Sequence, residues 1–346
     1  MFVVASKLGL TSFGGPIAHF GYFRREYVER RHWLDEETYA EIVALCQFLP
    51  GPTSSEVGMA IGLLRAGPLG AFLAWLGFTL PSVVAMVAFA YTVERFGSEL
   101  TALIRVLQLV ALGVVALAVW RMARALAWDV RRGTIALVSA AVVLASPSSV
   151  IQVAVIASGA LAGWRFVPAP AFIAKAHIAV PIGRRVAAIG LAAFLVLLVA
   201  LPLGRLATTS TEVRLFDTFY RSSALVFGGG HVVLPLLHAE VVPAGWVSED
   251  RFLAGYGAAQ VMPGPLFTFA SYLGAAIDGI AGAVVATIAV FLPGFLLVFA
   301  ALPSWGALRT RTWAVSALRG VNAAVVGLLL AALIGLARTA IASLLT

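Results

Sequence analysis

Long uninterrupted apolar runs constrain this chain more than any other feature of its sequence. A helix needs about 20 mostly apolar residues to cross the hydrocarbon core of a bilayer, and several of the runs are long enough. Because the runs are continuous rather than alternating, they favour helices over the strands of a barrel. The runs are Ala66–Val93, Val106–Val119, Ile135–Leu161, Val186–Leu203, Ala281–Leu302 and Val321–Leu336.

The charge content supports the same class of protein. Only 12% of the 346 residues are charged, whereas soluble domains carry about 25%. The predicted fold class is therefore an all-α polytopic membrane protein with about ten membrane segments, of which the stretch 1–15 begins the first helix rather than forming a signal peptide. Arginine clusters such as Arg24–Arg31 and Arg121–Arg132 indicate cytoplasmic loops, so the net charge of +8 needs no nucleic-acid partner.

An internal repeat divides the chain into two related halves. The offset between matched positions falls from 214 at the FGG motifs to 212 at the Gly-Ala pairs. Duplicated scaffolds of this kind are typical of transporters. The predicted organisation is a first repeat at 1–165, a basic linker at 166–185 and a second repeat at 186–346. The matched motifs are FGGP and FGGG (Phe13–Pro16, Phe227–Gly230), two Pro-Gly-Pro segments (Pro50–Pro52, Pro263–Pro265), two Gly-Ala pairs (Gly70-Ala71, Gly282-Ala283) and two Leu-Pro pairs (Leu80-Pro81, Leu292-Pro293).

The arginine distribution predicts that the two repeats are inverted. The loop after the first FGG motif holds four arginines within Arg24–Arg31, whereas the matching loop, His238–Asp250, holds no lysine or arginine. Because lysine and arginine counts set the orientation of membrane segments, the two loops are expected on opposite sides of the membrane.

Each repeat contains a helix interrupted by Pro-Gly-Pro. The predicted helical stretches are Tyr39–Leu49 and Thr53–Leu64 in the first repeat, and Phe252–Met262 and Leu266–Ile277 in the second. Proline removes a backbone donor and biases the residue before it away from helix. Broken helices at matching positions in two halves indicate a transport site, although a simple proline kink would give the same pattern.

Cations and glycines near the FGG motifs are typical of an anion site. Lys7 and Arg221 each lie six residues before the phenylalanine of their motif, on apolar stretches where a charge costs about 2.5–3.5 kcal/mol at mid-bilayer. Either side chain could instead reach the interface by snorkelling. Paired glycines let successive N–H groups turn toward an anion, and close helix packing would use them equally well.

Uncharged amides complete the predicted substrate site. Gln47 and Gln260 each lie three residues before a Pro-Gly-Pro segment, where an amide could bind an oxyanion or bridge two helices. The predicted substrate-binding residues are Lys7, Gly14, Gly15, Gln47, Pro50, Gly51, Pro52, Arg221, Gly228, Gly229, Gln260, Pro263, Gly264 and Pro265.

Three carboxylates are predicted to couple transport to protons. Glu56 follows the first Pro-Gly-Pro inside an uncharged stretch, where a buried carboxyl group can carry a proton. The matching region, Phe267–Phe269, has no acid, so the halves differ there. Glu26 and Glu240 occupy matching positions and are either proton carriers or ion-pair partners of residues such as Arg24, Arg25 and His238.

Motifs of catalysis and metal binding do not occur in the sequence. Neither a phosphate-binding G-x-x-x-x-G-K-[ST] loop nor a G-x-S-x-G nucleophile turn occurs, which predicts a protein that is not an enzyme and has no cofactor. A lone Cys46 excludes an internal disulfide. His19 and His231 lie near the glycines without matching each other, and no histidine–carboxylate pair at i,i+3 or i,i+4 occurs within the apolar runs to predict a metal site.

The motifs resemble those of the CHR family of chromate transporters. The segments that carry the resemblance are LGLTSFGGP from Leu8, the stretch Phe23–Gly62, LVFGGGHVVLPLL from Leu225 and GWVSEDRFLAGYGAAQVMPGP from Gly245. The resemblance implies a two-domain transporter of the bacterial inner membrane that exports chromate, depends on the proton-motive force and confers chromate resistance. Sulfate, another tetrahedral dianion, is the implied competitor, and a homodimer is one assembly compatible with it.

Three other classes share part of this pattern. A sulfate or molybdate permease would show every feature described above. An anion channel would need no coupling carboxylate. A membrane-embedded reductase would need a redox cofactor, for which the sequence shows no motif. The working hypothesis is that the two broken helices meet near the bilayer midplane around an oxyanion, with helix N-termini supplying partial positive charge.

Overall fold

The computed structural model describes residues 1–97, 99–169, 182–308 and 310–345, and within them the chain forms helices and no strands. Residues 170–181 of the predicted linker lie outside the described residues. The helices are α1 (Phe2–Thr11), α2 (Gly15–Phe23), α3 (Glu36–Phe48), α4 (Thr53–Phe96), α5 (Thr101–Leu126), α6 (Val130–Ala145), α7 (Ser149–Phe166), α8 (Arg184–Ala207), α9 (Thr211–Ala224), α10 (Val233–Val241), α11 (Glu249–Val261), α12 (Phe269–Ala301), α13 (Trp305–Leu308) and α14 (Thr312–Leu345).

Six helices in the described part of the chain are long and apolar enough to cross a membrane. This confirms the all-helical membrane class, whereas the count of about ten segments stays a prediction. The six stretches are Thr53–Phe96, Thr101–Leu126, Ser149–Phe166, Arg184–Ala207, Leu266–Ser304 and Thr312–Arg338.

One apolar run differs from its sequence-based description. The run Ile135–Leu161 is not a single helix, because α6 ends at Ala145 and α7 begins at Ser149. Pro147 lies in the break, and the Ser148 hydroxyl accepts a hydrogen bond of 3.3 Å from the Ile151 N–H at the start of α7. A proline followed by a capping serine ends one helix and starts another even where the composition stays apolar.

Both long helices that follow the Pro-Gly-Pro segments fold back on themselves. In α4 the backbone leaves the helical region at Ala66 and Gly67, and in α12 it does so at Asp278 and Gly279 with nearly the same angles. The short arms that precede these bends end within one residue of the predicted stretches Thr53–Leu64 and Leu266–Ile277. The two repeats thus share a hairpin at matching positions.

Glycines bring the two arms of each hairpin together. A Cβ atom on Gly62 would lie 2.3 Å from the Gly70 carbonyl oxygen, and one on Gly274 would lie 2.2 Å from that of Gly282. The arms are therefore in backbone contact, which only residues without a side chain permit.

The described residues divide into two compact units that do not follow the repeats. Unit 1 comprises described residues within 1–102, 182–230 and 258–306, and unit 2 comprises those within 103–169, 231–257 and 307–345. Each unit draws on both halves of the sequence. The repeat boundaries at 165 and 186 therefore stay a prediction about sequence relatedness.

Unit 1 is built around α4 and α12, which pack against each other. The α1 helix lies against α4, and α8 and α9 lie against α12. At the α1–α4 crossing a Cβ on Gly9 would lie 2.5 Å from the Phe78 carbonyl oxygen, so the two backbones touch. Close approach through small residues is typical of helix packing in membranes.

Unit 2 is built around α14, which packs against α6 and α7. Glycines again mark the crossings, since a Cβ on Gly320 would lie 2.1 Å from the Gly159 carbonyl oxygen. A cavity of about 320 Å³ in this unit is lined mostly by apolar side chains and includes the contact of His238 with Glu249, whose Nε2 and Oε2 atoms are 2.8 Å apart.

Candidate functional site

The two Pro-Gly-Pro segments of unit 1 are each hydrogen-bonded to the opposite repeat. The Gly51 N–H donates to the Val226 carbonyl oxygen at 2.9 Å, and the Gly264 N–H donates to the Ser12 carbonyl oxygen, also at 2.9 Å. Val226 and Ser12 each directly precede the FGG motif of their repeat. The exchange is reciprocal, as in a two-fold related pair.

Positive φ angles explain why the middle residue of both segments is glycine. Gly51 has φ +134° and Gly264 has φ +96°, a region that residues with a side chain rarely adopt. The flanking prolines end α3 at Phe48 and α11 at Val261, and new helical turns begin at Thr53 and at Leu266. This confirms the predicted interruptions and leaves a helix N-terminus after each segment.

Glu56 is buried beside the first Pro-Gly-Pro segment. Its side chain is 0% exposed, and neither carboxyl oxygen has a hydrogen-bond partner among the described residues. A Cβ on Gly51 would lie 2.4 Å from Glu56 Oε1, and one on Gly294 would lie 3.0 Å from the same atom. The carboxyl group therefore fills a space between two glycines, one from each repeat.

A different set of polar groups surrounds the second Pro-Gly-Pro segment. A Cβ on Gly264 would lie 2.0 Å from Ser82 Oγ, so this hydroxyl faces the glycine directly. Ser82 and Gly294 occupy matching places, each following the Leu-Pro pair of its repeat. The two Pro-Gly-Pro segments thus have similar backbone contacts but different neighbouring side chains.

His19 lies on the same side of unit 1 as Ser12 and Ser82. Its ring is edge-on to Phe78, with centroids 5.4 Å apart, and Phe78 is one helical turn from Ser82 on α4. The imidazole also lies beside the backbone of Ser12. Ser12 and His19 are 0% exposed and Ser82 is 2% exposed, and their side-chain polar atoms have no well-formed hydrogen bond within the described part of the chain.

The glycines of the FGG motifs lie in turns that start new helices. Gly14, Gly15, Gly228 and Gly229 all have positive φ angles. A Cβ on Gly230 would lie 3.8 Å from Pro16 Cγ, which brings the matching fourth residues of the two motifs close together. The two loops therefore face each other within unit 1.

The two predicted cations lie in unlike surroundings. Lys7 is exposed on α1. Arg221 is bound to the buried carboxylate of Asp217, with Nε–Oδ1 and a second guanidinium nitrogen–Oδ2 both at 2.7 Å. Arg205 approaches the same carboxylate at 3.4 Å. Much of the charge of Arg221 is therefore balanced by Asp217, which sequence reasoning missed.

The two amides also differ in surroundings. Gln47 is exposed near the end of α3, whereas Gln260 is half-buried on α11. The Gln260 Nε2 atom is buried and has no hydrogen-bond partner among the residues described. Gln260 thus presents an unused donor four residues before Gly264.

Glu26 is held in an ion pair. Its side chain is 9% exposed and lies 2.7 Å from Arg31 and 3.2 Å from Arg30. Burial raises the pKa of this carboxyl group, but the hydrogen bonds from Arg31 and Arg30 outweigh it and bring the pKa below its ordinary value. Glu240 is half-buried on α10 in unit 2. Proton coupling by Glu26 and by Glu240 stays a prediction.

Three polar residues escaped sequence reasoning. Ser12 and Ser82 lie next to or within apolar stretches and contact Gly264, far away in the chain, whereas Asp217 lies only four residues from its partner Arg221. His19 was visible near the first FGG motif without a matching histidine in the second repeat. Only the position of Ser82 after a repeated Leu-Pro pair could have singled it out.

A duplicated helical membrane protein whose broken helices are cross-linked by reciprocal hydrogen bonds has the architecture of a secondary transporter. The chain belongs to the chromate transporter family, since the family model described as Chromate transporter matches residues 1–164 and 213–346. The two matched regions fall in the two halves of the sequence.

Curated relatives cover nearly the whole chain. It is 30% identical to the chromate transport protein of Pseudomonas aeruginosa over 96% of this chain and 79% of that protein. It is also 30% identical to the probable chromate transport protein of Synechococcus elongatus, over 98% of this chain and 84% of the relative. The chromate transport protein of Cupriavidus metallidurans is 28% identical over 98% and 82% of the two chains. No solved structure matches the chain.

Proposed function

We propose that this protein exports chromate from the bacterial cytoplasm across the inner membrane, that the proton-motive force drives the export, and that Glu56 carries the coupling proton. Membership of the chromate transporter family supports the substrate. The single structural observation that carries the coupling is the Glu56 carboxyl group, wholly buried and without a hydrogen-bond partner in the described residues.

The surroundings of Glu56 make its charge state matter. An unpaired ionised carboxylate is costly to bury, so the uncharged form suits the space between Gly51 and Gly294. An ionised Glu56 repels a dianion near the Pro-Gly-Pro segments, and a protonated one does not. The charge state of Glu56 is therefore coupled to anion binding in this proposal.

The membrane potential favours export. With the cytoplasm negative, each elementary charge that crosses is worth about 2.3 kcal/mol per 100 mV. A dianion such as chromate is driven outward by twice that amount. The electrical part of the proton-motive force thus supports the proposed direction.

The experiment is uptake of radiolabelled chromate into everted membrane vesicles, with and without an uncoupler. Wild-type uptake is expected to collapse with the uncoupler, and Glu56→Gln is expected to abolish coupled uptake at equal expression. Glu94→Gln is the matched control, because Glu94 is an exposed carboxylate on the same helix. Full activity of Glu56→Gln would refute the assignment of the proton to Glu56.

The same assay separates the rival functions. Uptake that follows the membrane potential and does not respond to the pH gradient across the vesicle membrane would indicate an anion channel. Uptake of sulfate or molybdate without chromate would indicate a permease for those anions. Strong inhibition of chromate uptake by excess sulfate would show that the site recognises a tetrahedral dianion.

A further inference from the structure

The two Pro-Gly-Pro segments share their backbone pairing but not their chemistry. At the first, the side chain next to the glycine is the Glu56 carboxyl group, an anion when ionised. At the second, it is the Ser82 hydroxyl, which donates and accepts hydrogen bonds without charge. At the first segment, ionised Glu56 would repel a dianion. At the second segment, no carboxylate faces the glycine.

Three residues with buried polar side chains are linked by contacts to the second segment. Ser12 joins it through its carbonyl oxygen, which accepts from the Gly264 N–H at 2.9 Å. Ser82 Oγ faces Gly264, and His19 lies beside the backbone of Ser12 and against Phe78. These three residues come from the end of α1, from α2 and from the long arm of α4.

The hydroxyl groups of Ser12 and Ser82 have no hydrogen-bond partner within the described residues, and the His19 ring has no hydrogen bond of good geometry beyond its approach to the backbone of Ser12. All three residues are at least 98% buried. A buried polar group left without a partner lowers the stability of the folded state. Such groups in native proteins are normally satisfied by protein, ordered water or a ligand. A cluster of three at one place therefore indicates a bound species that the side chains are arranged to meet.

The donors in this cluster suit an oxyanion. Two serine hydroxyls and one imidazole N–H can each point at an oxygen atom, and the Gln260 Nε2 atom supplies a further unused donor on the adjoining helix. Neutral donors bind a dianion without the cost of burying a compensating cation. A full positive charge such as that of exposed Lys7 is then not needed at the binding position.

We propose that Ser12, His19 and Ser82 form the oxyanion-binding site at the second Pro-Gly-Pro segment, and that the first segment with Glu56 serves the proton. This inference rests on the proposed function and deepens it, because it assigns the two ligands to the two repeats. The backbones of the two repeats are alike at the Pro-Gly-Pro segments. The side chains differ, since Glu56 has no acidic counterpart and Ser82 is matched by Gly294, and this difference assigns the proton to one segment and the anion to the other.

The test is equilibrium binding of radiolabelled sulfate and chromate to the purified full-length protein. Ser82→Ala and Ser12→Ala are each expected to weaken binding about tenfold, as loss of a hydrogen bond to a charged group does. His19→Leu is expected to do the same, whereas His19→Gln keeps a neutral donor and retains most of the affinity. Thr218→Val is the control, because it removes another wholly buried, unpartnered hydroxyl, on α9.

Folding is checked by the melting temperature and the elution profile of each variant. If Ser82→Ala does not fold, Ser12→Ala and the His19 pair carry the test. Wild-type affinity in folded Ser82→Ala and His19→Leu would overturn the site and leave water as the species that satisfies the cluster. Equal loss in His19→Gln and His19→Leu would also overturn it, since a donor role predicts rescue by glutamine.

The proposed function and this inference fail in different ways. If the wild-type protein binds neither anion, the proposed substrate is wrong. If the wild type binds and transports chromate while the Ser12, His19 and Ser82 variants bind normally, only the site is wrong. Glu56→Gln is expected to bind sulfate with near wild-type affinity while losing coupled transport, and loss of binding in that variant would contradict the division between the two segments.

Discussion

Glu26 shows how an acidic residue in a membrane protein can be structural. Its two arginine partners bring its pKa below the ordinary value, so it stays ionised at neutral pH. A carboxyl group whose pKa is lower in the folded state adds stability above its unfolded pKa, about 4.3. That stability is lost as the pH falls toward the folded pKa.

Substituting Glu26 with glutamine is therefore expected to flatten the acid side of the stability profile. The melting temperature of the wild type should fall as the pH drops from about 5 toward about 3, through the unfolded pKa of about 4.3, and that of Glu26→Gln should change less. Chromate uptake at neutral pH should remain sensitive to the uncoupler. Uptake by Glu26→Gln that no longer responds to the uncoupler would make Glu26 a proton carrier instead.

Asp217 is the second residue whose role follows from its partners. Its carboxylate is 0% exposed and contacts both Arg221 and Arg205. Removing one partner of a buried ion pair costs about 3–5 kcal/mol, because an uncompensated charge stays behind. Asp217→Asn is expected to lower the melting temperature sharply. Glu212→Gln, an exposed carboxylate on the same helix, should change it little, and equal stability of both variants would show that the pair is not structural.

At the scale of helices, the glycine-mediated hairpins make a direct prediction. A Cβ at Gly62 or Gly274 would collide with a carbonyl oxygen of the facing arm, whereas one at Gly58 on the same short arm as Gly62 meets nothing within 4 Å. Gly62→Ala and Gly274→Ala should therefore each destabilise the protein by about 1–3 kcal/mol, and Gly58→Ala should not.

Thermal unfolding of the three alanine variants in detergent checks this prediction. A lower melting temperature and less monodisperse protein are expected for Gly62→Ala and Gly274→Ala alone. If all three variants melt together, the arms of each hairpin do not touch as the structure has them.

The sequence predicted these elements better than it predicted their contacts. Apolar runs and the two Pro-Gly-Pro interruptions are local signals, and both helices and breaks follow them. The break at Pro147 was missed because the apolar composition continues across it. The pairing of Gly51 with Val226 and of Gly264 with Ser12 depends on positions far apart in the chain. A Pro-Gly-Pro motif predicts where the backbone is irregular. It does not predict which carbonyl oxygen accepts the hydrogen bond from the glycine N–H.

At the scale of the whole molecule, the reciprocal bonds at Gly51 and Gly264 agree with a two-fold relation between the repeats. Such an axis gives an inverted repeat if it lies in the membrane plane and a parallel repeat if it runs along the membrane normal. The reciprocal bonds are the same in both cases. The distribution of arginine is what favours the inverted arrangement.

Single cysteines in the two matching loops distinguish the arrangements. Glu37→Cys lies just after the arginine-rich loop and Ala244→Cys lies in the arginine-free loop, and both positions are exposed. An inverted repeat places them on opposite sides, so a membrane-impermeant maleimide should label only Ala244→Cys in intact spheroplasts and only Glu37→Cys in everted vesicles. The native Cys46 is 0% exposed, so the wild-type protein should give little background. Labelling of both cysteines from the same side would establish a parallel repeat and remove the argument for opposite loops.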